Sequence, residues 1–351
     1  MNIQIGKKTM WTVITLVLAV LSVYLVIRMS GMSPSQFLEG LRGLKIGWVA
    51  AAILCMLGIV FFEGEAVLSI LKRIGYPRSH RHGFLIAAGD TYFSAITPSA
   101  TGGQPASAFF MIQGGVPAAA ATAALLLNMV MYNSAILTIG TVCVISEPAI
   151  FLHFQPVNRF LIIAGFLVLA FMGVLFFLLL CKQRILFAAA EKVISFLTRR
   201  HLMRHPEKWY ARLQKAAGEF SGAVKMMSGG YRMMLSAYVF NLLQRVSQFG
   251  VTLCAHLAKG GSGSPAVLWK LFTTQCFVSL GANCVPIPGS MGVTDYLMLD
   301  GYMNLMNRET AFSLQMISRG LSFYCCVLLS GMVTLIGYLR IRNRKKKQPG
   351  A

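Results

Sequence analysis

The stretch that decides the fold is T-P-S-A-T-G-G at 97–103, together with a matching stretch, I-P-G-S-M-G-V, at 287–293. In each, a proline precedes a glycine by four positions and interrupts a hydrophobic region. The apolar run before each break is shorter than the roughly 20 residues that a helix needs to cross a bilayer. Two broken helices at corresponding places in two halves of a chain are typical of binding sites near the membrane midplane.

Composition places the chain in a membrane. Hydrophobic residues make up 56% of the 351 residues and charged residues 12%, against about 25% charged in a soluble domain. We therefore predict an all-α polytopic membrane protein with about six full spans. The apolar runs that carry this prediction are 10–27, 46–62, 116–146, 160–181, 233–257 and 311–339. We interpret the first as a retained helix and not a signal peptide, because no small-residue cleavage site precedes Arg28.

The distribution of basic residues predicts the orientation. Lysine and arginine are in excess in cytoplasmic loops. They cluster at Lys7 and Lys8, in loop 72–82, in segment 182–232, which holds eleven of them, and after Leu339. Both termini are therefore expected in the cytoplasm. The same rule, with attraction to anionic headgroups, accounts for the net charge of +21, so we expect no direct nucleic-acid partner.

We count how often the chain must cross the membrane between these loops. Two segments must then enter and leave the membrane on the same side. Hairpin 84–113 is expected to enter from the cytoplasm and hairpin 268–304 from the outside. Segments 46–146 and 233–340 then form an inverted repeat of helix, hairpin and helix. Broken backbone at membrane depth needs protein or a water-filled cavity around it. The alternative is that both Pro-Gly breaks are ordinary kinks within full spans.

Three segments lie outside the predicted repeats. Residues 1–45 hold the first helix and an external loop, and residues 341–351 form a basic cytoplasmic tail. Segment 147–232 holds the fifth helix and a basic amphipathic stretch, which we place on the inner leaflet surface. The alternative for this stretch is a cytoplasmic helix packed on the bundle. Its apolar residues recur at helical spacing: Trp209, Leu213, Ala217, Phe220, Val224 and Met227.

Ionisable residues within membrane spans are costly and are functional candidates by default. A guanidinium matches phosphate oxygens with two parallel hydrogen bonds, so Arg245 and Arg319 are candidates for binding a lipid phosphate. They are equally able to pair with nearby carboxylates and lock helices together. The acidic candidates are Glu63, Glu65, Asp90, Asp295 and Asp300.

The two breaks free backbone N–H groups at helix starts, which attract anions. We therefore predict a translocation site that combines the breaks with Asp90, Arg245, Asp295 and Arg319. The break residues are Thr97, Pro98, Gly102, Gly103 and Gln104 in the first half, and Pro288, Gly289 and Gly292 in the second. No phosphate-cradling loop, catalytic triad or metal-ligand spacing is recognisable, so no cofactor, metal or catalytic residue is predicted. We interpret the eight cysteines as small buried hydrophobic residues.

The motifs resemble those of one family. T-P-S-A-T-G-G-Q-P-A-S (97–107), followed by Gly115, and P-I-P-G-S-M-G-V-T-D (286–295), followed by Arg319, resemble the two signature segments of the lysylphosphatidylglycerol synthase transmembrane-region family. This is the membrane part of the multiple peptide resistance factor, and the resemblance covers most of the chain. It implies a flippase for aminoacylated phosphatidylglycerol in a bacterial cytoplasmic membrane, and a role in resistance to antimicrobial peptides. Gln104 and Asp295 depart from the residues usual in the family.

Three functions compete at this stage. The leading hypothesis is translocation of an anionic or aminoacylated phospholipid. The second is a phosphatidylglycerol lysyltransferase, acting alone or with a soluble transferase in trans. The third is translocation of a polyprenyl-phosphate or glycolipid carrier. We expect the chain alone to lack lysyltransferase activity, because its long segments are used for crossing the membrane, and a homo-oligomer is an open alternative.

Overall fold

The computed structural model of the protein describes residues 43–182, 206–283, 285 and 287–347, with isolated positions between 187 and 199. The predicted first span, 10–27, lies outside these residues. The described chain is helical, which confirms the predicted all-α class. Four helices in it are long and apolar enough to cross a membrane: Ile46–Arg73, Ala118–Ser146, Pro156–Cys181 and Arg308–Asn343.

The first half contains a helix, a broken hairpin and a second long helix. The hairpin helices have 17 and 11 residues, or about 26 and 17 Å at 1.5 Å per residue, so neither spans an apolar layer of about 30 Å. The hairpin begins four residues before the predicted position 84. The elements are α1 (Ile46–Arg73), α2 (His80–Ile96), a 3-10 turn (Pro98–Ala100), α3 (Gly103–Gln113) and α4 (Ala118–Ser146).

The second half repeats this order. Its first helix has the 28 residues of a full span but is less apolar than the four candidate spans named above, because it carries Asn241, Gln244, Arg245 and Gln248. The last helix continues into the region that we predicted to be a tail. The elements are α8 (Tyr231–Ala258), α9 (Pro265–Ala282), a 3-10 turn (Pro288–Ser290), α10 (Val293–Met303), α11 (Arg308–Arg319), a π turn (Gly320–Cys325) and α12 (Cys326–Lys347).

Among the described residues that connect the halves, the helices are α5 (Pro148–His153), α6 (Pro156–Cys181) and α7 (Pro206–Met227). The C-terminal half of α7 buries Phe220, Ala223 and Met227 in a core cluster shared with α4. Trp209, near its N-terminus, is 46% exposed. The C-terminal half therefore packs on the bundle, and the placement of this segment at the leaflet surface stays a prediction.

The two halves meet through their corresponding elements. Helix α1 packs along α8 more extensively than any other pair of described helices, α2 packs on α12, and the two 3-10 turns touch each other. The two hairpin tips therefore meet. Gly103 and Met291, just after the two turns, are buried, whereas residues 98–101 are exposed. Around the tips lies a continuous core that includes Val60, Phe249, Phe277 and Tyr302.

Glycines allow the closest helix approaches. A Cβ atom on Gly64 of α1 would lie 2.6 Å from the backbone of Gly83 in α2, and one on Gly165 of α6 would lie 1.9 Å from the carbonyl oxygen of Leu280 in α9. Small residues at such crossings are how helices pack tightly in a membrane, where lipid is as apolar as the side chains.

At the end of the bundle away from the α1–α2 loop, side chains tie the second hairpin to the start of α6. The Asp300 carboxylate accepts hydrogen bonds from the backbone N–H of Gln155 at 3.0 Å and from Nδ2 of Asn158 at 2.6 Å. The Tyr296 hydroxyl donates to Oε1 of Gln155 at 2.6 Å. Asp300, a candidate from the sequence, therefore holds hairpin two in place.

Candidate functional site

The first break has a left-handed turn. Ser99 and Ala100 have φ of 53° and 54°. The Thr97 hydroxyl accepts a hydrogen bond from the backbone N–H of Gly102 at 2.8 Å and donates to the carbonyl of Phe93 at 2.7 Å. Gly102 itself has φ of −80°, so the turn does not require its conformational freedom. Glycine is needed at this position because there is no room for a side chain: a Cβ there would lie 2.8 Å from Cγ2 of Thr97.

Asp90 joins the two arms of the first hairpin. Its carboxylate accepts hydrogen bonds from Ser94 at 2.9 Å, Ser107 at 3.0 Å and Gln104 at 3.1 Å. A Cβ on Gly103 would come within 2.3 Å of Oδ1 of Asp90, so the carboxylate lies beside the start of α3, where a helix attracts negative charge. The structure thus brings Asp90, Gly103 and Gln104 together, with Asp90 as the structural centre of the tip.

We expect Asp90→Ala to destabilise the protein by about 3 kcal/mol or more, because three donors lose a charged acceptor and hydrogen bonds to charged groups contribute about 1.5–3 kcal/mol each. Thermal unfolding of the purified protein in detergent measures this. Ser94→Ala, which removes one of the three donors, should lower the melting temperature by much less. Equal melting temperatures for Asp90→Ala and the unmodified protein would contradict this role.

The second break also turns through left-handed backbone, at Gly289 with φ of 58°, Ser290 with 48° and Gly292 with 77°. Here glycine is required by conformation at two positions. The backbone N–H of Gly292 donates to Oδ2 of Asp295 at 3.0 Å, which caps the N-terminus of α10. A Cβ on Gly289 would lie 2.3 Å from the ring of Phe323, so the π turn packs directly on this break.

Arg319 holds the second break from the side. Its side chain is almost fully buried, Nη2 donates to the carbonyl of Gly289 at 2.8 Å, and Nε lies 3.4 Å from Oδ1 of Asp295. The guanidinium carbon lies 4.2 Å from the centre of the Phe323 ring. Gln315, one turn before Arg319, also donates to Asp295, at 3.4 Å. The structure therefore brings Arg319, Asp295 and Gly289 together, and of the carboxylates weighed as partners it is Asp295 that pairs with Arg319.

Arg245 has a different environment. It is buried in α8, where Nη1 donates to Oε1 of Gln248 at 2.5 Å, and its guanidinium lies 4.0 Å from the ring centre of Tyr132. Nε and Nη2 have no hydrogen-bond partner among the described residues. Glu63 interacts with it electrostatically without forming an ion pair, and accepts a hydrogen bond from Gln244 at 3.0 Å. Arg245 thus keeps two donor atoms available within the bundle.

Several polar contacts in the interior were not foreseen from the sequence. Thr252 of α8 and Ser318 of α11 share a hydrogen bond of 2.5 Å, and Tyr302 donates to Gln275 at 2.7 Å. The only signal in the sequence is that each is a polar residue within an apolar run. Glu65, a sequence candidate, pairs with the His80 ring at 2.5 Å and joins α1 to the start of hairpin one.

Together these contacts form a polar interior at the meeting point of two broken helices. The turns touch, so the first-half residues around Asp90 adjoin the second-half residues around Arg319. Two buried guanidiniums can bind an anion, and the carboxylates of Glu63, Asp90 and Asp295 on other helices can bind an amine.

Comparison with curated proteins finds no match. The family model described as the lysylphosphatidylglycerol synthase TM region matches residues 12–330, which is most of the chain and includes both breaks and both buried arginines. This chain therefore belongs to the lysylphosphatidylglycerol synthase transmembrane-region family, as its sequence motifs suggested.

Proposed function

We propose that this protein moves an anionic or aminoacylated phospholipid, such as lysylphosphatidylglycerol, between the leaflets of a bacterial cytoplasmic membrane. The observation that carries the proposal is the contact between two left-handed helix breaks, with Arg319 buried against the second break and Arg245 buried in α8. Broken backbone within a bilayer is stable only where protein or a polar cavity surrounds it. Membership of a family of lipid-related membrane proteins supports the same proposal.

The proposed orientation places hairpin one on the cytoplasmic side and hairpin two on the outer side. In support, basic residues lie together at one end of the bundle, at the end of α1, in the loop that follows it and at the end of α12. They include Lys72, Arg73, Arg78 and Arg340. Such an excess is typical of cytoplasmic ends. We therefore place both termini in the cytoplasm.

The proposed chemistry is exchange of partners at the arginines. A lipid phosphate would take the place of Asp295 and the Gly289 carbonyl on Arg319, or occupy the available donors of Arg245. The guanidinium fork suits two phosphate oxygens. The amine of an aminoacyl headgroup would find carboxylates at Glu63 and Asp295, which already accept hydrogen bonds from Gln244 and Gln315.

Reconstitution into vesicles tests the proposal. We expect the purified protein to make lysylphosphatidylglycerol from the inner leaflet accessible to a membrane-impermeant amine reagent, at a rate well above that of protein-free vesicles. A polyprenyl phosphate and a zwitterionic phospholipid, each labelled on the headgroup and followed with an impermeant quencher, serve as comparison lipids.

The outcomes separate the hypotheses. Movement of lysylphosphatidylglycerol or phosphatidylglycerol in preference to the other lipids supports the proposal. Preferential movement of the polyprenyl phosphate would assign the site to a carrier lipid instead, and no movement of any lipid under any imposed ion gradient would refute translocation.

A further inference from the structure

A cavity of about 670 Å³ lies at the basic end of the bundle, between the base of hairpin one and the last turns of α12. It is outside the site described above and contains none of the residues proposed for translocation. Its polar lining includes Arg78, Arg81, His82 and Arg340, and its apolar lining includes Leu85 and Ile336. We name this cavity the basic vestibule.

The basic vestibule is complementary to an anion. Three arginines and no acidic residue line it, and none of the three forms an ion pair with a described carboxylate. Nη1 of Arg78 donates only to the adjacent carbonyl of Pro77, at 3.1 Å, while its Nε is buried without a hydrogen-bond partner. The N-terminus of α2 also opens here, and Ser79 does not cap it with its side chain. All these donors suit phosphate oxygens.

The apolar wall distinguishes a lipid from a soluble anion. Leu85, Val333, Ile336 and Ile341 line the cavity beside the arginines. Ile336 is 51% exposed on the outside of the bundle, so this wall is continuous with the surface that faces the bilayer. A phosphate group at the arginines would therefore have its acyl chains directed into the membrane. A soluble phosphate would leave the aliphatic wall unused.

The vestibule also connects with the interior site. Helix α2 packs along α12 so closely that a Cβ on Gly337 would lie 2.2 Å from Leu85, and one on Gly331 2.9 Å from Tyr92. Farther along this seam, Tyr92 and Val327 pack with Phe323, whose ring lies against the Arg319 guanidinium. One helix–helix interface thus leads from the arginines of the vestibule to the second break.

We propose that the basic vestibule is a loading site in the inner leaflet, where Arg78 and Arg340 bind the phosphate of an anionic phospholipid before it reaches the hairpin tips. This inference rests on the proposed function for its place in a transport path. The binding itself can be measured without transport.

The test is lipid binding to the full-length protein in nanodiscs of zwitterionic lipid, using photoactivatable phosphatidylglycerol as the probe and mass spectrometry to locate the cross-links. We expect cross-links near Leu85 and Ile336, and at least a tenfold loss of them in the double variant Arg78→Gln/Arg340→Gln. The matched control is Arg232→Gln/Arg308→Gln, which removes the same charge from exposed arginines elsewhere and should retain binding.

A second variant tests lipid binding at the cavity without changing any charge. Ile336→Trp fills the mouth of the cavity from an exposed position and should reduce cross-linking at least threefold. Equal cross-linking in the unmodified protein and both vestibule variants would overturn the proposal. Glycerol phosphate and short-chain phosphatidylglycerol serve as competitors. If both displace the bound lipid at the same concentration, the site would be assigned to soluble anions. If the protein binds the lipid at the vestibule but moves no lipid in the vesicle assay, translocation would be refuted while the binding site would be retained.

Discussion

Replacing Arg319 by alanine is expected to slow lipid movement at least tenfold. The guanidinium would contact a lipid phosphate through charge-assisted hydrogen bonds, which contribute about 1.5–3 kcal/mol each, and about 1.4 kcal/mol corresponds to a factor of ten. The fold should survive, because Asp295 still accepts hydrogen bonds from Gly292 and Gln315. Arg319→Lys should restore activity only in part, since an ammonium cannot form the two parallel bonds.

The measurement is the initial rate in the vesicle assay, with the melting temperature of each variant determined in detergent. Arg308→Ala is the matched control, because Arg308 is an exposed arginine at the other end of the same helix. Its rate should equal that of the unmodified protein. An Arg319→Ala protein that melts normally and moves lipid at the normal rate would exclude the proposed role of the guanidinium.

Replacing Gly165 by alanine is expected to lower the free energy of unfolding by about 3 kcal/mol or more, the upper part of the range for overpacked interiors. The added Cβ would lie 1.9 Å from the carbonyl oxygen of Leu280 and 2.7 Å from its carbonyl carbon. Backbone atoms cannot rotate away as a side chain can, so α6 must separate from α9 along their whole contact. Helix α9 is the first arm of hairpin two and α6 packs on it, so lipid movement should fall with stability.

Gly173→Ala provides the control on the same helix. Its Cβ would meet only the side chain of Asn133, at 3.4 Å, an ordinary contact distance. Alanine also favours the helix over glycine by about 1 kcal/mol. Thermal unfolding of the two variants in the same detergent should separate them clearly, and similar melting temperatures would show that the α6–α9 approach is not tight.

The breaks were predictable because their cause is local. Proline and glycine at 98, 102, 288 and 292 disturb a helix wherever they occur, and apolar runs too short to span were visible on both sides. The pattern of proline and glycine did not predict the structural role of each residue at the breaks. At the first break the left-handed positions are Ser99 and Ala100, and the glycines are needed for space instead.

The partners of the ionisable residues could not be predicted in the same way. Glu63 is joined to Gln244 across 181 positions of the chain, and Asp300 to Asn158 across 142. A single sequence carries no signal for such pairs, because each depends on how whole helices pack. The same reason explains the vestibule: Arg78 and Arg340 were counted with the general excess of basic residues, and only the packing of α2 on α12 brings them to one cavity.

The π turn at Gly320–Cys325 is a point at which the register of the last helix can change. Residues 308–343 form a continuous helical rod, about 54 Å long at 1.5 Å per residue, that touches hairpin two at one end and hairpin one at the other. A π turn holds one residue more than an α turn, and that residue can pass to the next turn while each backbone N–H stays paired. Such a shift turns only the residues between the old and the new position of the π turn, by about 100°, and leaves the two ends of the rod in place. The stretch that packs on the second break can thus reorient while the rod stays in contact with both hairpins.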